Sequence, residues 1–189
     1  MDGALAAIFV ITSLTDMALN DCPIGCLAPT DAPERLSFQL GDVRFDEDRI
    51  AKEFYLGYDL GYKKGPFQPT IAVSVTEDGA GWIGAGGKWT STDILPGPLF
   101  IESTLMPGIY FQSDDPNLGG SLQFRSSLGV GYAFDNGATV TVAYDHRSNP
   151  DTDVTNPGLE VLSVRYAIPT LENDDGPLIP GYACLRPDF

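Results

Sequence analysis

From Glu34 to about residue 169 the chain alternates between apolar side chains and small or polar ones. Strict alternation indicates β-strands whose two faces meet different surroundings. Eight such segments follow one another, and many of them are about ten residues long, which is enough for a tilted strand to cross a bilayer. The pattern predicts an all-β fold, an eight-stranded antiparallel up-and-down outer-membrane β-barrel over residues 34–169.

The sixth segment shows most clearly which face should point outward. One face carries large apolar side chains and is interrupted only by Ser126, while the other carries Gln123, Arg125 and several glycines. A face with charged residues cannot meet lipid, but it can fill a narrow barrel in which glycines leave room for long side chains. The eighth segment shows the same division, with Arg165 on the face opposite its large apolar side chains. The apolar faces are therefore expected to contact lipid.

A soluble ligand-binding barrel or a sandwich, with the large apolar face turned inward, is the alternative. The aromatic residues favour the membrane barrel, because several fall at strand ends on one rim, as an interfacial girdle does. These residues are Tyr62, Trp89, Phe100 and Phe134.

The connections agree with a barrel that has both ends of the chain in the periplasm. The sixth connection, Asp135-Asn136-Gly137, is a tight-turn signal, whereas the connections over 112–120 and 147–158 are long and polar. Short periplasmic turns and longer external loops are the usual asymmetry of such barrels.

Charge and composition exclude some classes of function. A net charge of -15 with 11 Lys and Arg argues against a nucleic-acid partner, which needs a basic surface. Cys22 and Cys26 have no second pair of metal ligands, and His146 is the single histidine, so neither a metal site nor a cofactor is expected.

The two ends of the chain differ from the barrel. Residues 1–33 are interpreted as a leader and periplasmic segment, in which Ala4 to Leu14 has the length of a signal-peptide core and is too short to span a bilayer as a helix. No Lys or Arg precedes that run, unlike in a typical signal peptide. Residues 170–189 are interpreted as a periplasmic tail, which a disulfide from Cys22 or Cys26 to Cys184 would tether.

A cluster of chemically capable residues lies at the last hairpin. His146 and Ser148 are two apart in a strand, so they share its outward face at a spacing of roughly 6.6 Å. Glu160 falls on the matching face of the next strand. These three residues can act as a triad in which Ser148 is the nucleophile, His146 the general base and Glu160 the group that orients the imidazole. Individually, a histidine at a strand end and an Asn-Pro-Gly turn are also ordinary surface features.

The motif around this cluster resembles that of the outer-membrane lipid A 3-O-deacylases, which are eight-stranded barrels. The family pattern is His-x-Ser-Asn followed by Asn-Pro-Gly-x-Glu. Its positions are occupied here by His146, Ser148, Asn149, Asn156, Pro157, Gly158 and Glu160.

The resemblance implies a serine esterase of the bacterial outer membrane that removes an ester-linked 3-O-acyl chain from lipid A. Its substrate would be lipopolysaccharide within the surrounding membrane lipid. The resemblance also points to this loop for the oxyanion donors, with Asn156 first and Asn149 second. A non-catalytic barrel of the same fold, acting as a structural or assembly partner, is the alternative, and a homodimer is left open.

Overall fold

The structure is a computed structural model that describes residues 3–23, 25–45, 48–113, 116–149 and 156–170. Eight antiparallel strands form a closed barrel, in which each strand pairs with its neighbours in sequence and the last pairs with the first. The strands are β1 (Arg35–Phe45), β2 (Asp48–Asp59), β3 (Gln68–Thr76), β4 (Gly81–Thr90), β5 (Leu99–Phe111), β6 (Leu122–Ala133), β7 (Thr139–Ser148) and β8 (Leu159–Pro169). The predicted eight-stranded up-and-down barrel is confirmed.

The apolar faces of the strands point away from the barrel. Leu40 is 67% exposed and Val142 is 56% exposed, whereas Gln39 and Arg125 on the opposite faces are at most 2% exposed. An apolar outer wall and a polar interior are the reverse of a soluble barrel, and they match a wall that contacts lipid.

The lumen holds a continuous series of ion pairs. Among the described residues, four acids and four bases are buried there and alternate in sign. Their order is Asp59, Lys88, Glu102, Arg165, Asp145, Arg125, Glu53 and Arg147, and the successive N–O distances are 2.9, 3.2, 2.9, 4.0, 3.0, 2.8 and 2.5 Å. Each buried charge therefore has a partner of opposite sign, which offsets the cost of removing it from water.

The predicted aromatic girdle is wrong at Phe100. This side chain lies in the inward register of β5 together with Glu102, and it is 4% exposed. Its cross-strand partner is Gly131, where an added Cβ would lie 2.2 Å from the Phe100 ring. The missing side chain of Gly131 makes the room that lets the ring fill the lumen.

The segment before the barrel begins with a helix, α1 (Ala4–Asp16), which continues as a π-helical turn over Met17–Asp21. This helical stretch is long and apolar enough to cross a membrane, a test that an N-terminal signal sequence also passes. It packs against β4, β5 and β6. The ring centre of Phe9 also lies 5.9 Å from that of Phe67, which directly precedes β3. The indole of Trp89 donates a hydrogen bond of 2.8 Å to Asp16.

The cysteine pairing differs from the predicted one. Cys22 and Cys26 form a disulfide with each other, so the prediction that one of them pairs with Cys184 is wrong. They can do so because the chain turns directly after the helix and brings their Cα atoms within 3.7 Å. Cys184 and the rest of the predicted tail, 171–189, lie outside the described residues.

Candidate active site

The outward register of β7 continues to the last residues of the strand. Asp145 and Arg147 point into the lumen, where each is 2% exposed, so His146 and Ser148 lie on the outer wall. The strict period of two in a strand accounts for this arrangement, since neighbouring side chains emerge on opposite faces.

His146 and Glu160 are direct cross-strand partners on β7 and β8. The imidazole Nδ1 lies 3.5 Å from Glu160 Oε1. The histidine is 3% exposed, while the glutamate side chain retains 23% of its exposure. The carboxylate thus lies beside one ring nitrogen, which is the arrangement that orients a general base.

Ser148 lies at the end of the same outward row. It is partly buried, and its cross-strand partner on β6 is Phe124. The structure therefore brings Ser148, His146 and Glu160 onto one patch of the outer wall, with the serine two residues beyond the histidine.

Gly158 covers the imidazole. Its φ angle of +73° lies in the left-handed region, and an added Cβ would lie 2.7 Å from His146 Cε1. Both the backbone conformation and the close approach require glycine at this position. This contact explains how a histidine on the outer wall can be almost fully buried.

Asn149 and Asn156 connect the loops above the site. The Asn156 side chain accepts a hydrogen bond of 3.1 Å from the Asn149 backbone N–H and donates one of 2.9 Å to its carbonyl. The Asn149 carboxamide donates to the carbonyls of Leu118 and Gly119 at 3.0 and 2.8 Å. Asn149 thus uses both amide hydrogens to hold the loop between β5 and β6 against the loop between β7 and β8.

Two neighbours of the predicted triad were not identified from the sequence as parts of a site. Ser126 lies opposite His146, is 4% exposed, and donates a 3.5 Å hydrogen bond to the His146 carbonyl. Arg44 lies opposite Glu160 on β1 and is exposed. One row across four strands therefore carries Arg44, Glu160, His146 and Ser126. The interruption of the apolar face at Ser126 could have indicated a residue near the site. No local sequence pattern placed Arg44 beside Glu160.

Within the part of the chain that the structure describes, no group of three His, Cys, Asp or Glu side chains is placed to hold a metal ion.

The match to a protein family covers most of the barrel. The family model described as "Lipid A 3-O-deacylase (PagL)" matches residues 53–169. The chain belongs to this family. The match includes the whole cluster from His146 to Glu160, whereas Arg44 precedes it.

Individual members of the PagL family are also similar to the chain. Over 55 residues it is 44% identical to the lipid A deacylase PagL of Pseudomonas aeruginosa, an alignment that covers 29% of this chain and 32% of that protein. The matched segment thus spans about a third of that relative. The crystal structure of the outer membrane enzyme PagL superposes with a TM-score of 0.60 and 22% identity, covering 71% of this chain and 99% of that one. This likeness shows that the barrel fold is shared.

The family match and the closed barrel with an apolar outer wall make this chain a protein of the bacterial outer membrane. The patch that carries His146 and Ser148 belongs to the wall that contacts lipid, at the end of the barrel where the two long loops lie.

Proposed function

We propose that this protein is a serine esterase that hydrolyses an ester-linked 3-O-acyl chain of lipid A in the outer leaflet. The observation that carries the proposal is the His146–Glu160 pair on the lipid-facing wall, with Ser148 in the same outward row. Membership of the PagL family supports both the reaction and the substrate.

Ser148 is the nucleophile in this proposal. His146 removes the hydroxyl proton as the serine oxygen attacks the ester carbonyl carbon. The tetrahedral intermediate then expels the sugar hydroxyl, which takes the proton from His146, and an acyl-serine remains. Water, deprotonated by His146, attacks that acyl group, and the fatty acid leaves as the serine regains its proton.

Glu160 orients the imidazole and stabilises its protonated form. Its carboxylate lies beside Nδ1, so the other ring nitrogen, Nε2, is the one that works on the serine proton. The carboxylate remains ionised throughout and does not take the proton itself.

The oxyanion of the tetrahedral intermediate needs donors that are fixed in advance. Asn156 remains the first candidate because its carboxamide is held against the Asn149 backbone in the loop above the site. Asn149 is the weaker candidate, since its two amide hydrogens are engaged by Leu118 and Gly119. Its support of the proposed reaction therefore comes mainly through the loop that it holds.

The position of the site suits a substrate that is itself a membrane lipid. Placing a polar triad on a hydrocarbon-facing wall has a desolvation cost. A reaction on a membrane lipid explains why the triad lies there. Arg44 beside Glu160 supplies positive charge at the same height, where a phosphate of lipid A can meet it. In a chain of net charge -15, such a cation offsets part of the repulsion of a phosphorylated headgroup.

The test is the mass of lipid A from cells that carry the protein in their outer membrane. Loss of one hydroxyacyl chain is expected with the wild type and is abolished by Ser148→Ala. Ser37→Ala, which removes a buried lumen serine, is the matched control and should leave deacylation intact. Unchanged lipid A in the presence of a correctly inserted wild-type barrel would remove the proposal and favour a non-catalytic role.

A further inference from the structure

Between the two outward residues His146 and Ser148 lies a residue that points the other way. The Arg147 side chain enters the lumen, is 2% exposed, and brings Nη2 to 2.5 Å from Oε2 of Glu53. The carboxylate that holds it comes from β2, on another side of the barrel, 94 positions earlier in the chain.

Glu53 joins two strands at the height of the triad. While Oε2 meets Arg147 on β7, Oε1 lies 2.8 Å from Arg125 Nη1 on β6. Arg125 and Arg147 are cross-strand partners, and the next pair in the same ladder is Ser126 with His146 on the outer face. One buried carboxylate therefore bridges the two strands directly behind the site.

The arginine is also enclosed by aromatic rings. The guanidinium carbon of Arg147 lies 5.6 Å from the ring centre of Tyr110 and 5.8 Å from that of Trp82. The hydroxyl of Ser74 donates a 2.9 Å hydrogen bond to Glu53 and fixes the carboxylate in turn. The ion pair thus has little freedom to shift without moving the end of β7.

We propose that Glu53 is a positioning residue for the reaction, acting through Arg147 across the barrel wall. In a strand, rotation of one residue turns both neighbours, because they emerge on the opposite face. Holding Arg147 inward therefore fixes the directions of His146 and Ser148 outward. A misplacement of about 1 Å at reacting groups can lower a rate by roughly 100-fold. The inference rests on the proposed esterase function.

If Glu53 only stabilised the barrel, replacing another buried acid of the lumen should affect the reaction in the same way. The chain contains such an acid for comparison. The pair of Asp59 and Lys88 is of the same kind: it is buried in the lumen at 2.9 Å, and Asp59 belongs to the same strand as Glu53. It lies six residues away, or roughly 20 Å along β2, near the periplasmic end. Loss of Asp59 leaves Lys88 with Glu102 at 3.2 Å, whereas loss of Glu53 takes an acid from both Arg125 and Arg147. Only Glu53 lies behind the triad.

The experiment compares Glu53→Gln with Asp59→Asn in purified, detergent-folded protein. Deacylation of lipid A gives kcat and KM, and urea unfolding gives the stability of each variant. We expect Glu53→Gln to lower kcat by roughly tenfold or more with KM changed less than about twofold, because alignment and not binding is lost. Asp59→Asn should lower the unfolding midpoint less, because Lys88 keeps Glu102, and should keep kcat within about twofold of the wild type.

Labelling with a lipid-like phosphonate that captures an activated serine adds a second readout. Its rate at Ser148 should fall for Glu53→Gln in step with kcat and stay unchanged for Asp59→Asn. If Glu53→Gln does not fold in detergent, Glu53→Asp keeps the charge but withdraws the carboxylate from Arg147, and the same contrast with Asp59→Asn is expected.

The outcomes separate the two proposals. A wild type that deacylates no lipid A overturns the proposed function and this inference with it. An active wild type overturns the positioning role alone if Glu53→Gln keeps its kcat, or if both variants lose kcat only in proportion to their loss of stability.

Discussion

His146 and Glu160 face each other across β7 and β8, with Nδ1 3.5 Å from Oε1. Because both residues belong to regular strands, the barrel itself sets their approach, and no loop has to close to form the pair. The loops cover the imidazole through Gly158, and Asn149 and Asn156 hold those loops together.

Glu160→Gln keeps the size of the side chain and removes its charge. We expect kcat for lipid A deacylation to fall by roughly 10²- to 10⁴-fold with little change in KM, since the imidazolium loses its stabilising partner. Steady-state kinetics of the folded variant check this. Activity close to that of the wild type would show that Glu160 has no part in the reaction.

Gly158→Ala places a methyl group against the imidazole. The positive φ and the 2.7 Å approach to Cε1 should displace His146 and lower kcat by roughly 10- to 100-fold. Gly137→Ala is the matched control, since its φ is +80° but its added Cβ would find only Pro169 at 3.5 Å. Equal effects of the two changes on kcat would contradict the role assigned to the Gly158 contact.

Asn149→Ala removes two hydrogen bonds to the loop between β5 and β6. The loss of a buried donor should cost about 1–3 kcal/mol and make that loop more sensitive to protease, with a fall in kcat. Asn136→Ala in the turn between β6 and β7, at the other end of the barrel, removes the hydrogen bond that the Asn136 side chain accepts from the Ala138 N–H and serves as control. A fall in kcat with unchanged proteolysis would instead indicate that Asn149 acts directly on the oxyanion.

Arg44→Ala removes the exposed cation beside Glu160. We expect KM for lipid A to rise about threefold with kcat nearly unchanged, as for an exposed charge pair of up to about 1 kcal/mol, and the difference to shrink at high salt. Lys64→Ala, an exposed cation near the opposite rim, should have no such effect. The same KM rise with a dephosphorylated lipid A would argue against a phosphate contact.

The disulfide can be mapped by digestion without reductant. No Lys or Arg precedes Arg35, so trypsin leaves Cys22 and Cys26 in one peptide, which should gain two hydrogens on reduction. A cross-link from the first peptide to the one that contains Cys184 would contradict the pairing seen in the structure.

The barrel and the direction of its faces were predictable because alternation is a local property. Leu40 and Val142 turn outward for the same reason that Gln39 and Arg125 turn inward, and each pattern can be read within one strand. His146, Ser148 and Glu160 could be placed on one face by the same counting. Their catalytic roles remain predictions.

Other features depended on contacts between distant parts of the chain. From the sequence, Phe100 was expected at the end of a strand, facing outward on one rim of the barrel. Its side chain points inward instead because of the register of β5 and the space above Gly131. The partner of Arg147 comes from 94 positions away, and Arg44 meets Glu160 only because β1 and β8 close the barrel. No local pattern carries such information.

The alternating acids and bases of the lumen bear on how the strands find their partners. A slip of one residue between strands would turn apolar side chains inward and is excluded by hydrophobicity alone. A slip of two residues would keep every face correct, so the lipid-facing pattern cannot distinguish it from the native pairing. It would, however, move one strand's buried charges by roughly 7 Å and separate them from their partners. The order of the charges in the lumen therefore helps to fix the strand register. It favours one pairing among several that would present the same apolar face to lipid.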